Sequence, residues 1–159
     1  MHWEVFLMTH RTSSQQYLQR VLNWNSFFSL FSGIVLIVAA SPLASLMAPQ
    51  LDTVLALSFP TFLRLLGLGV IGFAFAVWWV ASHQDMPRWQ VWTIASLDID
   101  WVLGSLGVWL LAGEHLTLAG KLLIVDVALV VAVFGALELF GLLRQDKVAG
   151  LNLPLRAST

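Results

Sequence analysis

Asp98 and Asp100 fall inside one apolar run of this chain, Asp126 inside the next, and Arg64 near the start of an earlier one. Carboxylates and a guanidinium in such places have three uses: proton exchange, ion pairing across helices, or contact with a polar partner. An Asp or Arg at the centre of a membrane helix costs about 2.5–3.5 kcal/mol by insertion scales. Residues of this kind therefore face a protein interior, a partner or a water-filled cavity.

The rest of the chain sets their surroundings. It has 159 residues, 58% hydrophobic and 11% charged. A soluble domain carries about 25% charged residues, and so short a chain cannot bury this much apolar surface in a soluble core. The mean hydropathy of +0.82 agrees that the bilayer is the solvent. A net charge of −1 gives no basic surface for nucleic acid. Cysteine is absent, which removes disulfides, thiolate metal sites and cysteine catalysis.

The sequence predicts an all-α fold, a four-transmembrane-helix bundle with an N-terminal amphipathic helix and a short external interfacial helix. Windows of about 20 apolar residues place the spans near 21–41, 60–82, 90–112 and 118–143. Residues 1–20 are read as a cytoplasmic amphipathic arm, lying on the membrane or docking a partner, with Trp3, Val5, Phe6, Leu7 and Met8 and then Tyr17 and Leu18, followed by Val21 and Leu22, as its apolar residues, and 144–159 as a cytoplasmic tail. The first span starts on polar residues, Asn23, Asn25 and Ser26, and ends at Pro42. Pro60 suits a helix start. Between them lies an apolar loop, read as a lid, in which Asp52 caps a short helix over Thr53 to Leu57.

Arg11, Arg20, Arg88, Arg144, Lys147 and Arg156 all fall on one side of these spans. By the positive-inside rule both termini are cytoplasmic, in a bacterial inner membrane. Trp24, Trp78, Trp79, Trp89 and Trp92 form an aromatic belt on that side.

At a rise of ~1.5 Å per residue, Arg64 lies ~6 Å, Asp126 ~12 Å and Asp100 ~18 Å from the external ends of their spans. These three form a candidate ladder, either a structural lock or a proton relay. Glu138 and Lys121 are expected to snorkel to the interfaces. Asp98 and Asp100 sit about 200° apart on one helix. Asp100 shares a face with Thr93, Ser96, Gly104 and Gly107, and Asp98 shares one with Trp101, Ser105 and Trp109, a candidate pocket wall. Asp98 is left without a partner in reach. Gly67, Gly69 and Gly72, with Gly104 and Gly107, are read as helix-packing positions. None of the four histidines lies mid-span, and no zinc-protease, P-loop or nucleophile-elbow motif occurs. No metal and no cofactor is expected.

The run Phe62-Leu63-Arg64-Leu65-Leu66-Gly67-Leu68-Gly69, leading into an apolar span, resembles the small four-helix bacterial membrane proteins of the DoxX-like type. The resemblance implies the four-span layout and transfers no catalytic residue; the Asp98/Asp100 pair has no counterpart in it. The leading expectation is a non-enzymatic accessory subunit or a homo-oligomeric bundle, with lipid and other membrane subunits as partners. The alternatives are a proton-coupled transporter or channel using the intramembrane aspartates, and an intramembrane enzyme acting on a lipid or isoprenoid.

Overall fold

The computed structural model describes residues 2–83 and 86–150, with side chains described from 15 to 144. Five α-helices follow in order: α1 (His2–Val38), α2 (Ala40–Met47), α3 (Phe59–Ser82), α4 (Arg88–Ala112) and α5 (Leu118–Gly150). Two-residue strands β1 (Thr53–Val54) and β2 (Leu57–Ser58) pair antiparallel before α3, and a single 3-10 turn, Gly113–His115, joins α4 to α5. Four segments are long and apolar enough to cross a bilayer: Gln15–Val38, Phe59–Ser82, Arg88–His115 and Leu118–Arg144. Large apolar side chains cover their outer surfaces; Leu103, Leu110, Leu129 and Val133 are all more than half exposed. A bilayer accommodates such a surface, because hydrogen-bonded helices leave no backbone polar group stranded in hydrocarbon. The chain is a multi-pass membrane protein built as an all-α four-helix bundle.

Within it α1 lies against α3 and α5, and α4 packs on α5. α3 and α4 touch only slightly although a short turn joins them. α1 and α3 approach closely at two glycines. A Cβ on Gly33 would lie 2.9 Å from the Gly67 carbonyl oxygen, and one on Gly67 would lie 2.8 Å from that of Gly33. Small residues let membrane helices meet backbone to backbone in this way. Gly69, Gly72, Gly104 and Gly107 do not serve such contacts within the chain: a Cβ on any of them meets nothing within 4 Å.

Two apolar clusters close the ends. Near the α3–α4 turn, Leu18 and Leu22 of α1 pack with Val77, Ala81, Val91, Ile94 and Leu142. These two leucines are fully buried, so one face of the helix around residue 20 packs into the bundle, while Gln16 and Arg20 stay exposed. α1 runs unbroken from His2, so no boundary falls at residue 20; its side chains before Gln15 lie outside the described residues. At the other end α2 covers Phe59, Leu63 and Leu116 with Ala40, Ala44 and Ala48. Thr117 holds it there. Its N–H donates to the Met47 carbonyl (2.8 Å) and its hydroxyl to that of Leu46 (2.6 Å). The same hydroxyl accepts from Gly120 N–H (3.0 Å), capping α5.

The break after the first span falls at Ala39, not at Pro42. Pro42 is the third residue of α2, where a missing N–H costs no intrahelical bond. Asp52 starts no helix: Thr53 to Ser58 form the hairpin, with Leu55 (φ 50°) and Ala56 (φ 63°) as its turn. Both centres of this turn need positive φ, which L-residues adopt at a cost of about 1–2 kcal/mol. Ala56→Gly should therefore stabilise the hairpin by about 1 kcal/mol. Amide-exchange protection across Thr53–Ser58 reads it directly, and unchanged protection would count against the strain. Ser58 then caps α3, accepting from Thr61 N–H, with Pro60 in the first turn as the sequence suggests.

Candidate functional site

Three spans each turn one polar residue to the bundle interior at the same level. On α1 the buried face reads Leu18, Leu22, Asn25, Ser29, spaced four, three and four apart. On α5 the same spacing gives Val131, Gly135, Glu138, Leu142. On α4 it brings Val91, Ile94 and Asp98 inward. Asn25 and Glu138 are 0% exposed and Asp98 is 3% exposed.

The three side chains meet. Asn25 Nδ2 donates to Asp98 Oδ2 (2.8 Å) and to Glu138 Oε1 (2.8 Å). A primary amide has two N–H donors, and both are used. Its Oδ1 accepts from Ser29 Oγ at 3.3 Å. In this orientation the amide turns its two N–H donors, not its oxygen, to the carboxyl groups. Next to Asn25 in the chain, Ser26 Oγ donates to the Ala74 carbonyl (2.8 Å) and ties α1 to α3. Gly135 faces Asp98 across α5 and α4, and a Cβ on it would make ordinary contact, 3.5 Å, with Asp98 Cβ, so this approach does not require a glycine.

The network is not saturated. Among the described residues Glu138 Oε2 is buried without a hydrogen-bond partner, and so is Trp101 Nε1. Among the described residues no basic side chain bonds to either carboxyl, whose shared partner is Asn25: Arg64 and Lys121 stand at the α2 end of the bundle, and Arg20, Arg88 and Arg144 near the opposite ends of the apolar spans. From those span ends Glu138 is ~9 Å deep and Asn25 and Asp98 ~15 Å. Two acids in a low dielectric thus share one neutral donor. No protein-family model, curated protein or solved structure matches this chain. The site therefore speaks through its own geometry.

That geometry rearranges the sequence reading. Asp98 is interior, but it has a partner, Asn25. Glu138 does not snorkel, because its position on the Val131–Leu142 stripe aims it at α1. The ladder of Arg64, Asp126 and Asp100 does not form, because all three are exposed on the outside of the bundle. Arg64 donates instead to Ser41 Oγ (3.4 Å) beside α2. Of the expected pocket wall, Trp101 and Ser105 are half-buried, whereas Trp109 is 44% exposed. Trp24, Trp78, Trp79, Trp89 and Trp92 all point outward, as belt residues do. Among the described residues no group of three metal-ligating side chains occurs. His83 turns its Nδ1 to the Trp79 carbonyl of its own helix.

Proposed function

We propose that this protein is a non-enzymatic accessory subunit of a membrane assembly, and that it holds a proton-binding acid pair inside the bilayer. One observation carries the reading. Asn25 bridges two buried carboxyl groups, no base faces them, and Glu138 Oε2 has no protein partner among the described residues. A network that served only to lock helix register would gain by being complete, because a half-satisfied buried network is worse than an apolar core. Two acids without a cation also need a positive charge close by. A proton shared over Asp98 and Glu138 supplies it in the smallest space.

Burial of the pair supports this reading over the rivals. A lipid or isoprenoid substrate would have to reach a carboxyl group that is 3% exposed or less. A larger solute meets the same closure, so the transport alternative narrows to protons. A groove on the outer side of α1 and α3 is lined by Asn23, Phe27, Leu30 and Phe75, away from the acid pair. The Arg and Lys distribution supports a bacterial inner membrane with both termini cytoplasmic, which places the acid pair in the cytoplasmic half. The DoxX-like resemblance fits this layout and adds no residue role.

Infrared difference spectroscopy of the protein in lipid at neutral pH tests the assignment. The expected result is a protonated-carboxyl component, shifted in heavy water, that disappears in the Asp98→Asn, Glu138→Gln double variant and persists in the Asp100→Asn, Asp126→Asn one. A wild-type spectrum that matches the Asp98→Asn, Glu138→Gln spectrum in that region would overturn it.

A further inference from the structure

Asp100 is the middle residue of α4, ~18 Å from either end. It is exposed, because the turn of the helix that sends Asp98 inward sends Asp100 out. Thr93, Ser96 and Gly104 on its face are exposed too, and a Cβ on Gly104 or Gly107 would meet nothing within 4 Å. In a single chain this strip would hold a carboxylate against hydrocarbon at the bilayer midplane, where the cost is about 2.5–3.5 kcal/mol. The carboxyl is too short to snorkel over that depth. Something polar therefore covers it, and the small residues beside it allow a helix to approach closely.

The charges of the chain limit what that is. A second copy lying parallel in the membrane repeats every depth. Among the described residues no Lys or Arg stands near the midplane. Arg64 is the sixth residue of α3 and Lys121 the fourth of α5, both at the α2 end. Arg20, Arg88 and Arg144 stand at the other end. No described base of a parallel copy can meet Asp100.

The geometry points to a transmembrane helix of a different protein, carrying a lysine or arginine at mid-span, docked along Ser96, Asp100, Gly104 and Gly107 of α4. This rests on the reading of the chain as a subunit and names its partner class. The ammonium or guanidinium meets the carboxylate, and the backbones close over the glycines.

The full chain is reconstituted in lipid with a synthetic Leu/Ala transmembrane helix that bears one mid-span lysine, and association is read by energy transfer. A twin helix with leucine in place of the lysine is the control. The lysine helix is expected to bind at least ten-fold more tightly than its twin. Asp100→Asn should bring it to the twin's level, and Asp126→Asn should not. Equal binding of the two helices, or binding unaffected by Asp100→Asn, overturns the proposal. Efficient disulfide pairing of Gly104→Cys chains in lipid also overturns it, by showing a second copy on this face. The infrared component of Asp98 and Glu138 is assigned by its loss on changing those two residues and its survival in Asp100→Asn, so a failure of the proton reading remains distinguishable.

Discussion

Asn25→Leu should lower the stability of the bundle by about 3 kcal/mol, the largest loss from any single polar side chain in it. Asn25 is the donor for both acids, so its loss strands Asp98 Oδ2 and Glu138 Oε1 together. A buried group left unsatisfied costs about 1–3 kcal/mol. Interhelical hydrogen bonds in membranes average only ~0.6 kcal/mol, because separated helices find other partners. That average sets the expectation for Ser29→Ala, which removes a single 3.3 Å bond to Asn25 Oδ1. It does not set the expectation for Asn25, whose leucine replacement puts apolar surface against two carboxyl groups. Replacing Asn25, Asp98 and Glu138 together by leucine should recover most of the loss, since an apolar set of similar volume matches or exceeds a buried polar network. Unfolding by increasing SDS mole fraction, followed by circular dichroism, measures all three variants. A loss below ~0.6 kcal/mol for Asn25→Leu would mean that the amide is an ordinary contact. A triple variant less stable than the single one would mean that the acids themselves hold the helices.

The parts of this site were legible to different degrees, and the reasons are physical. Apolar run length alone gives the four spans, because the bilayer fixes how much helix must be apolar. Asp98 stands out for the same reason, as a charge where none is cheap. Glu138 looks harmless by depth, ~9 Å from a helix end, where snorkelling is easy. Depth is the wrong coordinate for it. Its angular position between Gly135 and Leu142, matched to Asn25 between Leu22 and Ser29, decides which way it points. The polar start of the first span carried that signal, since Leu18, Leu22, Asn25 and Ser29 repeat at heptad-like spacing. The ladder of Arg64, Asp126 and Asp100 failed for the complementary reason. Those residues were placed by depth with no angle, and all three angles are outward. The hairpin at Thr53–Ser58 was not legible, because Leu55 and Ala56 are not the residues that a positive-φ turn selects.

Gly67→Leu should separate α1 from α3 and cost at least about 3 kcal/mol, whereas the same change at Gly69 should leave the fold intact. Even Gly67→Ala places a Cβ 2.8 Å from the Gly33 carbonyl oxygen and 2.9 Å from Ile37 Cγ1. The side chain can turn aside, but the carbonyl belongs to a helix and moves only if the helix does. Gly67→Ala is therefore expected to cost about 1–3 kcal/mol. Gly33→Ala meets the reciprocal obstacle, the Gly67 carbonyl at 2.9 Å, and should cost about as much. The double variant distinguishes steric contact from a loss of helix propensity. Moving the helices apart once relieves both clashes, so the combined loss should fall short of the sum by ~0.5 kcal/mol or more. Gly69→Ala and Gly72→Ala are the matched controls. Each adds its Cβ to open space and gains up to about 1 kcal/mol of helix propensity. If these two prove as damaging as Gly67→Ala in native membranes but not in detergent, a partner covers that face of α3. If Gly33→Ala and Gly67→Ala are neutral in both, the two backbones do not meet as closely as their carbonyl oxygens require. The Ser26 bond to Ala74 and the Asn25 network lie on the same α1, a few turns away. Separation at Gly67 should therefore also weaken the protonated-carboxyl signal of the acid pair, which couples the packing of the bundle to the chemistry at its centre.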